Sequence, residues 1–180
     1  MPPPHQPIHF IPKSQEKRIL SLPIQQILAA PHHQEAGTNH WCFYLATSPT
    51  TSIQLDCLPS YSVPSTVLPG GSKANIVISS LDRLVSTDVE ETFVLDVASD
   101  RRPLFVRDVV DLLIENGRHR YEFDERGVGC RFWVTEMVEL FLRCGVVGDG
   151  GQVEALKAAV RTLWPEKVPL ELDRGAYWSV

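Results

Sequence analysis

The chain reads as an α+β protein, an antiparallel sheet packed against helices, and three observations predict it. Strand signatures fill the first hundred residues, with a two-faced apolar run at 41–46 and a cleanly alternating one at 53–57. Helical spacing then takes over, with Phe105, Val109, Leu112 and Leu113 on one face and Trp133, Met137, Leu140 and Phe141 on another. Strands come first and helices follow, without the alternation that a parallel sheet requires. With 180 residues at 43% hydrophobic content, the chain is long enough for a single core. We place that domain at 19–180, preceded by a mobile or extended Pro-rich arm at 1–18.

Taken in order, residues 22–30 are apolar but ambiguous, because Pro23 opposes a mid-helix placement and the alternation is imperfect. Pro31, His32 and His33 end that segment, and the two histidines read as loop residues. The run at 41–46 suits an interior strand, Ser48-Pro49-Thr50-Thr51 a turn, and 53–57 the returning strand of a hairpin. Three prolines and Gly70-Gly71 make 59–72 a loop. Segments 74–78 and 92–97 are β-branched-rich strands. Pro103 suits the first turn of a helix that Gly117 terminates. Residues 120–123 form a short strand or connector. The next helix runs from Cys130 to Cys144, and a Gly148–Gly151 turn leads to a third carrying Val153, Leu156, Val160 and Leu163 on one face. An irregular tail follows Pro165.

Bulk properties exclude several classes. A net charge of −5 argues against a broad nucleic-acid-binding face. No run approaches the roughly 20 apolar residues of a membrane span. The N-terminus lacks the basic and apolar regions of a secretory leader, which points to a reducing, cytoplasmic setting with free thiols. Cys42, Cys57, Cys130 and Cys144 show no CxxC spacing, so neither a zinc ribbon nor a thioredoxin-type site is expected. The Gly148–Gly151 turn lacks the Lys-Ser/Thr of a phosphate loop. We therefore expect no metal and no cofactor, and a small-molecule or peptide substrate as the partner.

Cys130 and His40 are the pair that carries chemistry. Counting back from Trp133 puts Cys130 on the apolar face of its helix, aimed at the sheet. There the free N–H groups and the dipole of the first turn favour the thiolate. Gly127 and Gly129 leave backbone N–H groups open as an oxyanion hole. On the strand, His40 shares a side with Cys42 and Tyr44. A hairpin register that pairs 40 with 58 puts Asp56 and Gln54 on that side too, where Asp56 would hold the imidazole tautomer. A slip by one residue sends Asp56 to the other face, with Gln54 as the fallback. Trp41, Gly129, Arg131, Trp133 and Gln54 are the candidate substrate-binding residues. Trp41 and Trp133 either line a pocket or belong to the core. Arg131 either binds a carboxylate or phosphate near the thiol or forms a surface salt bridge with Glu136 or Asp124.

The segment Asn39-His40-Trp41-Cys42-Phe43-Tyr44-Leu45 resembles the His-Trp-x-x-Tyr strand of the lecithin:retinol acyltransferase-like family, within the NlpC-type, circularly permuted papain-like thiol enzymes. Gly129-Cys130-Arg131-Phe132-Trp133-Val134 stands where that family has Asn-Cys-Glu-His-Phe-Val opening a helix. The histidine precedes the cysteine by about ninety positions, the reverse of papain's order. The resemblance covers roughly 39–58 and 103–145. It implies a permuted papain-like core with His40 as base, Cys130 as nucleophile and Asp56 as the third polar group. Gly129, Arg131 and Phe132 depart from the family's Asn, Glu and His, which leaves the substrate class open, and the C-terminal anchor of its phospholipid-acting members has no counterpart here, which points away from a lipid substrate. The chain is also similar to small fungal proteins that pair Asn-His-Trp with Gly-x-Gly-Cys-Arg-Phe/Tyr-Trp. The expected function is cysteine-dependent acyl chemistry, as hydrolase or acyltransferase. The alternatives are a cofactor-free cyclase or isomerase of fungal small-molecule metabolism and a binding module without turnover.

Overall fold

The computed structural model describes residues 4–35, 37–99 and 102–179. It contains strands β1 (Ile8–Ile11), β2 (Gln26–His32), β3 (His40–Ala46), β4 (Ser52–Pro64), β5 (Ser72–Leu81), β6 (Phe93–Asp96), β7 (Tyr121–Phe123), β8 (Thr162–Leu163), β9 (Val168–Pro169) and β10 (Ala176–Tyr177). The helices are α1 (Glu16–Leu20), α2 (Val106–Glu115), α3 (Cys130–Arg143) and α4 (Gly150–Val160). Eight strands form one curled sheet in the order β10-β7-β5-β4-β3-β2-β6, antiparallel between all these neighbours, and β1 adds to β5 in parallel. The α+β class is as expected, with an antiparallel sheet packed against helices. No helix among the described residues is long and apolar enough to cross a membrane.

Strand β3 lies inside the sheet and is buried on both faces, which explains its unbroken apolar run. Its odd residues Trp41, Phe43 and Leu45 belong to the main core. There Phe43 meets Trp133 and Phe141 of α3 at ring-centroid distances of 6.1 and 5.4 Å. The even residues Cys42 and Tyr44 form a smaller cluster with Leu28 and Ala30 on the other face, covered by Val85 and Val89 of the β5–β6 connection.

Four expectations are corrected. The N-terminal arm is docked from Ile8 onward: Ile8 and Phe10 pack on the core, β1 pairs with Ile76–Ser79, and α1 follows. Residues 1–3 lie outside the described part. The 59–72 loop is shorter than its prolines suggest, because β4 runs on to Pro64 and takes in Pro59 and Pro64 at the two ends of a register shift. His32 closes β2 instead of lying in a loop. Pro103 precedes α2 by more than a turn's start, and Asp108 caps that helix through the Phe105 N–H at 2.8 Å.

The tail is held as well. Tyr121 in β7 donates its hydroxyl to the Gly129 carbonyl at 2.8 Å and accepts the Gly175 N–H at 2.9 Å. One buried phenol therefore fixes both the start of α3 and the approach of β10. Only glycine allows that approach at Gly175, where a Cβ would sit 2.3 Å from the phenol oxygen.

Candidate active site

The site is built where two strands part. The β3–β4 ladder runs from Ala46↔Ser52 to Phe43↔Leu55 and stops, while β4 stays paired with β5 through Pro59↔Ala74. Backbone groups alternate sides along a strand. Ala46 accepts from Gln25 beside β2, so the odd residues of β3 turn their N–H and C=O toward β4. Beyond Phe43 the next such groups, the Trp41 N–H and the Asn39 carbonyl, have lost their strand partner. The Cys130 sulfur takes that place, 3.9 Å from the Asn39 carbonyl oxygen and hydrogen-bonded by the Trp41 N–H. Gly129 at φ 144° is the N-cap that lets the chain turn into α3 with the thiol so placed.

His40 and Asp56 come to the same opening. The register Tyr44↔Gln54 is the one that places Asp56 on the His40 side, and His40 Nε2 bonds Asp56 Oδ1 at 2.6 Å. This leaves Nδ1 as the ring nitrogen for the thiol. Burial opposes a charged ring, but the Asp56 carboxylate and the Cys130 sulfur outweigh it and hold the His40 pKa well above its ordinary value. Burial likewise pushes the Cys130 thiol up, yet the His40 charge, its side-chain contact and the Trp41 N–H more than reverse this, and the pKa is lowered. The two shifts run in the direction that favours a thiolate–imidazolium pair over a neutral one. Cys42 and Cys57 show the contrast: burial drives both thiols well above the ordinary range. Cys130 is 8% exposed and the His40 side chain 21%, so solvent reaches the pair beside the imidazole. Among the described residues, the Gly129 and Cys130 N–H groups have no hydrogen-bond acceptor, as an oxyanion hole requires.

Of the candidate substrate-binding residues, Gly129 stays beside the sulfur. Gln54 shares the His40 face but donates its amide to the Cys42 sulfur at 3.4 Å. Trp41 and Trp133 are fully buried core residues, and the Trp133 indole N–H is taken by the Arg118 carbonyl at 2.9 Å. Neither lines a pocket at the thiol. Arg131 is 2% exposed and is not a surface residue. Its guanidinium donates to the carbonyls of Val160 (3.0 Å), Leu170 (3.4 Å) and Glu171 and to the Asp173 carboxylate (3.2 Å). Its expected partners are used elsewhere, Glu136 by Arg118 and Asp124 by Arg126.

Two supporting residues carried no clear signal in the sequence. Asn39 is buried and clamps Trp164 through the backbone, accepting its N–H at 2.7 Å and donating to its carbonyl at 2.9 Å, which holds the strand just before His40. His32 lies beside His40 with ring centroids 5.9 Å apart. It contacts Asp88 at 3.1 Å, the Tyr44 hydroxyl at 2.9 Å and the Cys42 sulfur at 3.3 Å. Its link to His40 depends on strand pairing across β2 and β3, which a contiguous motif does not display.

Asp56→Asn tests the third group. The folded His40 pKa lies above the unfolded value of about 6.5, so this pair contributes stability that is full below that value and fades as pH rises through the folded pKa. Removing the carboxylate is therefore expected to lower the His40 pKa in an NMR titration and to cost more stability at acid than at alkaline pH. A His40 pKa unchanged in the variant excludes the charge role.

Neither the curated proteins nor the solved structures contain a match to this chain. Residues 26–178, which span β2 through β10 and so include His40, Asp56 and Cys130, match the family model described as Domain of unknown function (DUF7770), and the chain belongs to that family.

Proposed function

We propose that the protein is a cysteine-dependent acyl-transfer enzyme, a hydrolase or acyltransferase acting on a small molecule or peptide, with the permuted papain-like arrangement that its motifs resemble. The observation that carries this reading is the lowered Cys130 thiol beside a His40 ring held by Asp56 at 2.6 Å. The Cys130 thiolate attacks a carbonyl carbon and forms the Sγ–C bond, and the oxyanion develops toward the Gly129 and Cys130 N–H groups. The C–O or C–N bond to the leaving group breaks as His40 gives up its proton to that group. Water or an acceptor alcohol or amine then adds to the thioester while His40 takes its proton, and Cys130 is released. Asp56 orients the ring and stabilises the imidazolium.

Brief exposure to p-nitrophenyl acetate tests this. The expected result is a burst of nitrophenol and one acetyl group found on Cys130 by peptide mass mapping, with neither in Cys130→Ala. Acetylation spread over lysines or over the other cysteines, without a burst, rules the reading out.

A further inference from the structure

Tyr61 does not fit a structural role. It is one of two non-glycine residues with positive φ among the described residues, at 53°, and it is 76% exposed. A bulky residue is disfavoured in that conformation, and strain of this kind collects at functional positions. The chain holds it there: the Tyr61 N–H bonds Ser72 Oγ at 3.2 Å, inside the register shift of β4. The ring lies against Gly127, where a Cβ would come within 2.5 Å of the phenol oxygen and 3.1 Å of the ring carbons. Gly127 opens the loop Gly127-Val128-Gly129 that leads directly to Cys130. One edge of the ring thus rests on the nucleophile's loop while most of its surface faces solvent.

The turn beside it is pinned. Tyr61, Thr66, Val67 and Leu68 line an open depression of about 450 Å³ formed by the 64–72 turn. Glu122 reaches into that turn and accepts the Thr66 N–H at 2.8 Å, the Val67 N–H at 2.9 Å and the Ser65 hydroxyl. Burial pushes this carboxyl up, but its donors from Ser65, Thr66 and Val67 hold it below the ordinary range, so the clasp stays charged. Val67, 51% exposed, extends the apolar surface next to Tyr61.

The geometry points to Tyr61 as the platform of a substrate subsite that takes a flat apolar group, aromatic or unsaturated, attached to the carbonyl that Cys130 attacks. This rests on the acyl-transfer reading above and adds to it the substrate class. The phenol offers one π-face and a hydroxyl at its rim, and the turn behind it offers a preorganised apolar wall.

The test compares two alkylating reagents on the full chain, iodoacetamide and N-benzyl iodoacetamide, in each of which the thiolate displaces iodide. Second-order rate constants at Cys130 are read by peptide mass mapping. In the parent protein the benzyl reagent should react faster than iodoacetamide. In Tyr61→Ala the benzyl-to-parent ratio should fall about 3- to 10-fold, the range an aromatic contact is worth. Tyr61→Phe should keep the ratio, because the ring and not the hydroxyl does the binding. An unchanged ratio in Tyr61→Ala, or a ratio lost equally in Tyr61→Phe, overturns the platform and leaves the Cys130 chemistry standing. If neither reagent labels Cys130 in the native protein, the subsite and the acyl-transfer reading fall together.

Discussion

His40→Ala slows alkylation of Cys130 at about pH 6 by on the order of 100-fold, while the parent protein labels at Cys130 before any other cysteine. The size follows from what the variant retains. Burial and the Asp56 carboxylate both disfavour the thiolate, while the Trp41 N–H and the start of α3 still favour it. Without the His40 charge the thiol pKa rises, and at mildly acidic pH the reactive fraction falls. In the parent protein the lowered thiol and the raised imidazole both favour the ion pair. The rate is therefore expected to hold as pH falls from neutrality and to drop only below the thiol's depressed pKa. Alkylation mapped by mass spectrometry across pH decides this. First labelling at Cys144, or the same rate in His40→Ala, would falsify the activated pair.

The largest loss of stability is expected from Arg131→Ala. The guanidinium ties the start of α3 to Val160, Leu170, Glu171 and Asp173. Its removal leaves the buried Val160 carbonyl and the part-buried carbonyls of Leu170 and Glu171 without this donor, which costs about 3 kcal/mol. For a chain of this size that lowers the melting temperature by roughly 6–12 °C. Arg131→Lys should recover only a small part, because a point charge cannot serve several carbonyls in one plane. Equilibrium urea unfolding measures it, and a loss below about 1 kcal/mol would mean that the Tyr121 clasp and the other contacts of the tail hold it without Arg131.

Arg131 also shows where local patterning stops being informative. An arginine one residue past a helix start looks solvent-facing, and its acceptors lie 29 to 42 positions away on a tail without regular periodicity. The pairing of His40 with Asp56 was legible, because a short hairpin allows two registers and the alternating strand at 53–57 supports one of them. The seat of Cys130 was half legible. Helical spacing from Trp133 aims the thiol at the sheet, but nothing in the residues announces that the ladder ends after Phe43 and leaves backbone groups for the sulfur. β1 was hidden for a related reason. Four residues in a Pro-rich context gain strand character only from the open edge of β5. His32 was obscured by Pro31, which signals a loop yet is accommodated within β2 beside Trp41.

The opening between β3 and β4 also sets when the thiol becomes a nucleophile. Its partners come from the Asn39 carbonyl, 91 positions away, and from a His40–Asp56 pair that itself spans 16. Local helix formation around Cys130 supplies none of them. A molecule in which α3 has not docked on the sheet lacks these partners, and its thiol then has ordinary reactivity. Thiol reactivity is then a clock for the last stage of assembly. The chain is spared a loose, activated sulfur at every earlier stage, when stray acylation or oxidation would do the most harm.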